Sequence, residues 1–132
     1  MPAPVRKKIL VVDDDADLQS ILRKILETTG YTVLSALNAT EGQSLAQSEH
    51  PDLIVLDIMM EAADSGLQLA AWLAKNTPGL PVLMLSSIAD AAGQVFDTST
   101  LPVAELLSKP IEPRELTSKI EKLLARRAAN SP

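Results

Sequence analysis

Polar groups able to act on a phosphoryl group stand at the ends of four apolar segments. The segments read KKILVVDDD, PDLIVLD, PVLMLSS and VAELLSKP. The polar residues at their ends are, in chain order, Asp13, Asp14, Asp15, Asp57, Ser86, Ser87 and Lys109. Because the carboxyl ends of parallel strands meet at one edge of a sheet, we expect these groups to converge into one site.

The acids predict a binding site for a hard divalent cation. Adjacent carboxylates repel one another, and burying an unpaired one is costly, so such a cluster calls for a cation. Oxygen-only ligation by a few carboxylates, a carbonyl and waters suits Mg²⁺, here from Asp13, Asp14 and Asp57. Asp57 would then be a carboxylate nucleophile, Lys109 a cation for phosphate oxygens and Ser86 a hydrogen-bond donor. This set is what formation of an aspartyl phosphate needs.

Each of these residues also has an ordinary structural explanation. Asp14 or Asp15 could cap the helix that follows, where anions are favoured, and we assign Asp15 to that cap. Asp57, Ser86 and Lys109 could be a strand-end acid, a turn hydroxyl and a solvated lysine. Their conjunction at four strand ends favours the chemical interpretation.

Composition bounds the class of protein. The chain has 132 residues, which predicts a single domain over 1–132 with an ordered core of about 7–127. The net charge of −5 argues against direct nucleic-acid binding. Without cysteine, disulfides and thiolate metal sites are excluded, and a lone His50 disfavours a histidine-based site. We find no membrane span and no signal peptide, and therefore expect a cytoplasmic protein.

Buried strands alternate with amphipathic helices along the chain. Five strand-like segments alternate with five helical ones, and one of the helical segments is a two-turn helix expected over 89–96. On the helix from about Gly66 to Asn76 we expect an apolar stripe of Leu67, Ala70, Ala71 and Ala74. This alternation predicts an α/β fold: a doubly wound parallel sheet with helices on both faces. No Gly-rich dinucleotide or P-loop motif is present.

The whole chain resembles a response-regulator receiver domain of two-component signalling. The matching stretches are KKILVVDDD, PDLIVLDIMM, PVLMLSS and LLSKPIEPREL. The resemblance implies a flavodoxin-like three-layer sandwich with strand order 2-1-3-4-5. It implies that Asp57 accepts the phosphoryl group and that Lys109 and Ser86 contact it. Asp13 and Asp14, with the backbone carbonyl of Met59, would bind Mg²⁺ beside Asp57.

Four departures from the family pattern concern output rather than chemistry. Glu61 stands where a proline is common, and the loop to Gly66 is one residue longer than usual. Leu106 replaces the switch aromatic three residues before the lysine, and residues 88–102 do not match the usual fourth helix. We therefore expect intact phosphorylation and a weakened or different coupling to the surface.

The resulting prediction is a signalling switch and not a metabolic enzyme. A sensor histidine kinase or phosphotransfer protein would donate the phosphoryl group, and a protein target would bind the face formed by the fourth helix, fifth strand and fifth helix. One alternative is a receiver-like binding module that does not use phosphate. Another is a small Mg²⁺-dependent phosphatase, which Met59 disfavours because such enzymes usually carry an aspartate there. The short tail AANSP slightly favours a natural end.

Overall fold

The computed structural model describes residues 7–57, 65–86, 104–108 and 111–129, and these form one parallel sheet with helices on both faces. In chain order the elements are β1 (Lys8–Val12), α1 (Ala16–Thr29), β2 (Thr32–Ala36), α2 (Ala39–Glu49), β3 (Leu53–Asp57), α3 (Ser65–Asn76), β4 (Val82–Ser86), β5 (Glu105–Ser108) and α4 (Pro113–Ala129). The helix expected over 89–96 lies outside the described residues, so the final helix is α4 here.

The strand order is β2-β1-β3-β4-β5, with all four neighbouring pairs parallel. This confirms the predicted doubly wound α/β fold. β1, β3 and β4 lie inside the sheet and are apolar along almost their whole length, as expected of strands covered on both faces. β2 is an edge strand and mixes polar with apolar residues.

Two apolar layers hold the helices to the sheet. Side chains alternate along β1, so Ile9 and Val11 face one layer whereas Leu10 and Val12 face the other. The first layer includes residues of α1 and α4, and the second includes residues of α2 and α3. Burying both faces fixes the register of the central strands, because a one-residue slip would exchange the two layers.

The buried face of α3 differs from the expected stripe. Leu69, Ala70 and Leu73 are buried, whereas Ala71 and Ala74 are exposed. Leucine removes more apolar surface from water than alanine does, so the helix turns Leu69 and Leu73 inward. Trp72 is half-buried and packs against the same layer.

Helix ends follow the local sequence. Gly30 ends α1 with φ of 112°, and its N–H donates to the carbonyls of Glu27 and Leu26. His50 ends α2 with φ of 49° and is exposed. Among the described residues, no helix is both long enough and apolar enough to cross a membrane.

Candidate functional site

Asp13 is a fully buried acid at the carboxyl end of β1. Its side chain has 0% exposure, and the four residues before it are buried as well. Its backbone N–H donates to the carbonyl of Ala36 at 3.0 Å, which extends the β1–β2 pairing by one residue. The Asp15 backbone N–H donates to Oδ1 of Asp13 at 2.9 Å and so orients the carboxylate.

The three consecutive aspartates occupy different positions. Asp14 is exposed, whereas Asp15 is the N-cap of α1. Oδ1 of Asp15 accepts from the N–H of Asp17 at 2.9 Å and of Leu18 at 3.2 Å. These bonds satisfy donors that the first helical turn leaves without partners. The predicted capping role of Asp15 is confirmed.

Asp57 is the last residue of β3, on the strand beside β1, and only 5% of it is exposed. Carboxylate oxygens of Asp13, Asp14 and Asp57 all lie within 4.8 Å of one another. The fold therefore brings together the three acids that the sequence assigns to one site. Two of them are buried, so solvent screens their mutual repulsion poorly.

This donor set fits a hard divalent cation. It supplies oxygen only, from three carboxylates on two adjacent strand ends. One exposed member gives an ion room for several waters, which Mg²⁺ retains when it binds to proteins. Met59, the fourth predicted ligand, lies outside the described residues.

Ser86 ends β4 on the other side of Asp57 and is 3% exposed. Asp57 pairs in register with Leu85, so Ser86 lies one residue beyond the acid at the same sheet edge. Ser86 also pairs in register with Ser108 of β5. Lys109 follows Ser108 in the chain and lies outside the described residues.

Gln19 is a site-supporting residue that the sequence analysis missed. It is 6% exposed, and its amide nitrogen donates to the carbonyls of Val11, Asp13 and Ala36 at 2.8–3.0 Å. Its signal was positional: Gln19 precedes Leu22 by three residues and Leu26 by seven, which places it on the buried face of α1.

Comparison with known proteins agrees with this geometry. The family model of the response regulator receiver domain matches residues 9–121. A probable transcriptional regulator ycf27 of Cyanophora paradoxa is 37% identical over 121 residues, covering 92% of this chain and 49% of that protein. The alkaline phosphatase synthesis transcriptional regulatory protein PhoP of Bacillus subtilis is 34% identical over 128 residues, covering 97% of this chain and 52% of that protein. The chain thus spans about half the length of these curated relatives.

Solved structures extend the likeness to the backbone. A CheY-like response regulator receiver domain protein from Methanospirillum hungatei superposes with a TM-score of 0.85 at 30% identity. The match covers 96% of this chain and all of that one. A receiver domain protein from Clostridium thermocellum also gives a TM-score of 0.85, at 26% identity over 95% of this chain and 99% of that one.

Proposed function

The chain belongs to the response regulator receiver family, and on that premise we propose that Asp57 accepts a phosphoryl group in a Mg²⁺-dependent reaction. The observation that carries the proposal is the convergence of Asp13, Asp14 and Asp57 at the edge of the sheet. Receiver domains are signalling switches rather than metabolic enzymes, and the same function is proposed for this chain, with its 132 residues forming one such domain.

In the proposed reaction, Asp57 attacks the phosphorus in line with the bond that breaks. A carboxylate oxygen of Asp57 forms a bond to the phosphorus of a phosphohistidine, the P–N bond breaks, and the departing imidazole nitrogen takes a proton. Asp13 and Asp14, with the Met59 carbonyl, would hold Mg²⁺ beside this carboxylate. Bound there, the ion supplies charge stabilisation for the phosphoryl oxygens.

Two further groups contact the transferred phosphoryl group in this proposal. The Ser86 hydroxyl donates a hydrogen bond to a phosphoryl oxygen, and its position one residue beyond Leu85, the register partner of Asp57, supports this. Lys109 offers a compact positive charge at the end of the segment that contains β5. In this proposal, the return to the resting state is hydrolysis of the acyl phosphate by water.

The donor is a sensor histidine kinase or a phosphotransfer protein, and the output is a protein contact. We place the output surface on β5 and α4, together with the helix expected over 89–96, which lies outside the described residues. Curated relatives such as PhoP are transcriptional regulators, so we place this domain in the cytoplasm. The acidic net charge of −5 supports a protein target rather than direct contact with nucleic acid.

Phosphorylation by a small donor tests the proposal directly. The protein is incubated with Mg²⁺ and acetyl phosphate, and its intact mass is followed. We expect one added phosphoryl group on the wild type and none on Asp57→Asn. Asp52→Asn is the matched control, because Asp52 lies just before the opposite end of the same strand. Unchanged labelling of Asp57→Asn would show that another residue is the acceptor.

One observation favours the alternative of a binding module that does not use phosphate. Leu106 is half-buried and packs against the layer that contains α2 and α3. It has no polar tip with which to report a change at the site. If phosphorylated wild type shows the same backbone amide spectrum as the unmodified protein, that alternative replaces the switch.

A further inference from the structure

Gln19 sits beneath the acidic cluster, where the carboxyl ends of β1 and β2 meet. It belongs to the first turns of α1, and its backbone N–H donates to the carbonyl of the N-cap Asp15 at 2.9 Å. The side chain leaves the helix on its buried face. Gln19 shares this face with Leu22 and Leu26, and burying an amide among apolar residues is costly unless it makes hydrogen bonds. The hydrogen bonds that Gln19 makes must therefore be identified.

Those contacts are with the backbone carbonyls of Val11 inside β1, of Ala36 at the end of β2 and of Asp13 just beyond β1. Nε2 donates to Val11 O at 3.0 Å, to Asp13 O at 3.0 Å and to Ala36 O at 2.8 Å. An amide nitrogen carries two hydrogens, so at least one is shared between two acceptors. Buried carbonyls need donors, and Gln19 provides one where the ladder stops.

The hydrogen bonds of Gln19 join those that the backbone of Asp13 makes. Ala36 O accepts from both Gln19 Nε2 and the Asp13 N–H, so it ties both to the end of β2. On the side-chain side, Oδ1 of Asp13 accepts from the Asp15 N–H, and Asp15 in turn caps the helix that carries Gln19. Asp13 is therefore held at its N–H, its carbonyl and its carboxylate by one connected hydrogen-bond network.

We propose that Gln19 is a positioning residue that fixes the Asp13 carboxylate for binding the divalent cation. This inference rests on the proposed function, since it concerns the same site. Rotation of the peptide group between Asp13 and Asp14 would break the hydrogen bond that the Asp13 carbonyl accepts from Gln19, so Gln19 opposes that rotation. Groups that orient the ligands of a metal affect affinity strongly, although they do not touch the ion.

The test compares the Mg²⁺ dissociation constants of the wild type and Gln19→Met, read from the backbone amide resonance of Asp15. Methionine has a similar length and no donor. We expect the dissociation constant to rise about tenfold to a hundredfold, the range found when groups that support metal ligands are removed. Gln19→Ala should raise the dissociation constant by the same factor. Its smaller side chain leaves room for water to donate to the carbonyls, so the variant should stay folded.

Leu26→Val is the matched control, because Leu26 is buried on the same face of α1 but two turns away from the site. It should lower stability and leave the Mg²⁺ dissociation constant within twofold. The inference is overturned if both Gln19 variants bind Mg²⁺ as tightly as the wild type. It is also overturned if Leu26→Val weakens binding equally at equal loss of stability. Failure of the wild type itself to bind Mg²⁺ would instead refute the proposed function.

Discussion

Removing one buried charge from the acidic cluster should stabilise the protein in the absence of divalent cations. Asp13 and Asp57 are both buried, and their carboxylate oxygens lie within 4.8 Å. At an effective dielectric constant of about 20, two unit charges at that distance repel by roughly 3 kcal/mol. Asp13→Asn removes this repulsion and keeps an oxygen that accepts from the Asp15 N–H.

The gain should be smaller than the full repulsion. A hydrogen bond from the Asp15 N–H to a neutral amide is weaker than one to a carboxylate. We therefore expect Asp13→Asn to raise the free energy of unfolding by about 1–3 kcal/mol in a chelating buffer. Mg²⁺ should reduce this difference in the free energy of unfolding, because at a hundred times its dissociation constant a ligand stabilises the native state by about 2.7 kcal/mol. The variant, with one ligand fewer, gains less.

Urea unfolding monitored by the fluorescence of Trp72, the only tryptophan, measures both quantities. The control is Asp17→Asn, which removes the same charge from an exposed position outside the cluster. It should lower stability by only about 0.3–1 kcal/mol, through loss of an acid in the first turn of α1, and by the same amount in both buffers. The reasoning is refuted if Asp13→Asn is no more stable than the wild type with chelator. It is equally refuted if Mg²⁺ stabilises the wild type and the variant by the same amount.

Three further predictions concern the scaffold. Gly42→Ala should cost about 1 kcal/mol, since its Cβ would lie 3.1 Å from side-chain atoms of both Val12 and Leu69, and the cost should fall without vanishing in a Val12→Ala background, as urea unfolding of the wild type and the three variants can show. Gly30→Ala should cost about 1–2 kcal/mol from its φ of 112° alone, since an added Cβ meets nothing within 4 Å; an unchanged unfolding midpoint would contradict this. Burial and, secondarily, the Glu121 carboxylate raise the pKa of Tyr31 above 10.0. The contribution of neutral Tyr31 to the free energy of unfolding is therefore complete below pH 10.0 and is lost as the pH rises through the folded-state pKa. Ultraviolet titration of the single tyrosine should show that its pKa is raised less in Glu121→Gln than in the wild type.

The sheet and the acidic cluster could be predicted because both depend on local sequence. A run such as Leu53–Leu56 has no polar face, so only a strand covered on both sides accommodates it. A polar group directly after such a run lies at the carboxyl edge of the sheet. Asp13 and Asp57 follow from this rule, and the structure brings them together.

The side-chain network around the site could not be predicted in the same way. Gln19 has its role because three carbonyls from two strands point at one position on α1, which depends on how the helix docks. Ile21 shows the same limit, since it shares the apolar spacing of α1 yet is 55% exposed. Helical periodicity defines a broad face, and tertiary packing decides which of its residues are covered.

The pairing of β4 with β5 indicates how a change at Ser86 would reach Leu106. Met84 is the register partner of Leu106, and both pack in the layer shared with α2 and α3. Ser86 lies two residues beyond Met84 and so projects to the same face of the sheet. A movement of the Ser86 hydroxyl can reach the Leu106 side chain only through contact between apolar groups, because that side chain has no hydrogen-bond donor or acceptor. We therefore expect any coupling of the proposed phosphorylation to the surface to depend on packing in that layer, and we expect substitutions at Met84 to alter output without altering the acids proposed to bind the cation.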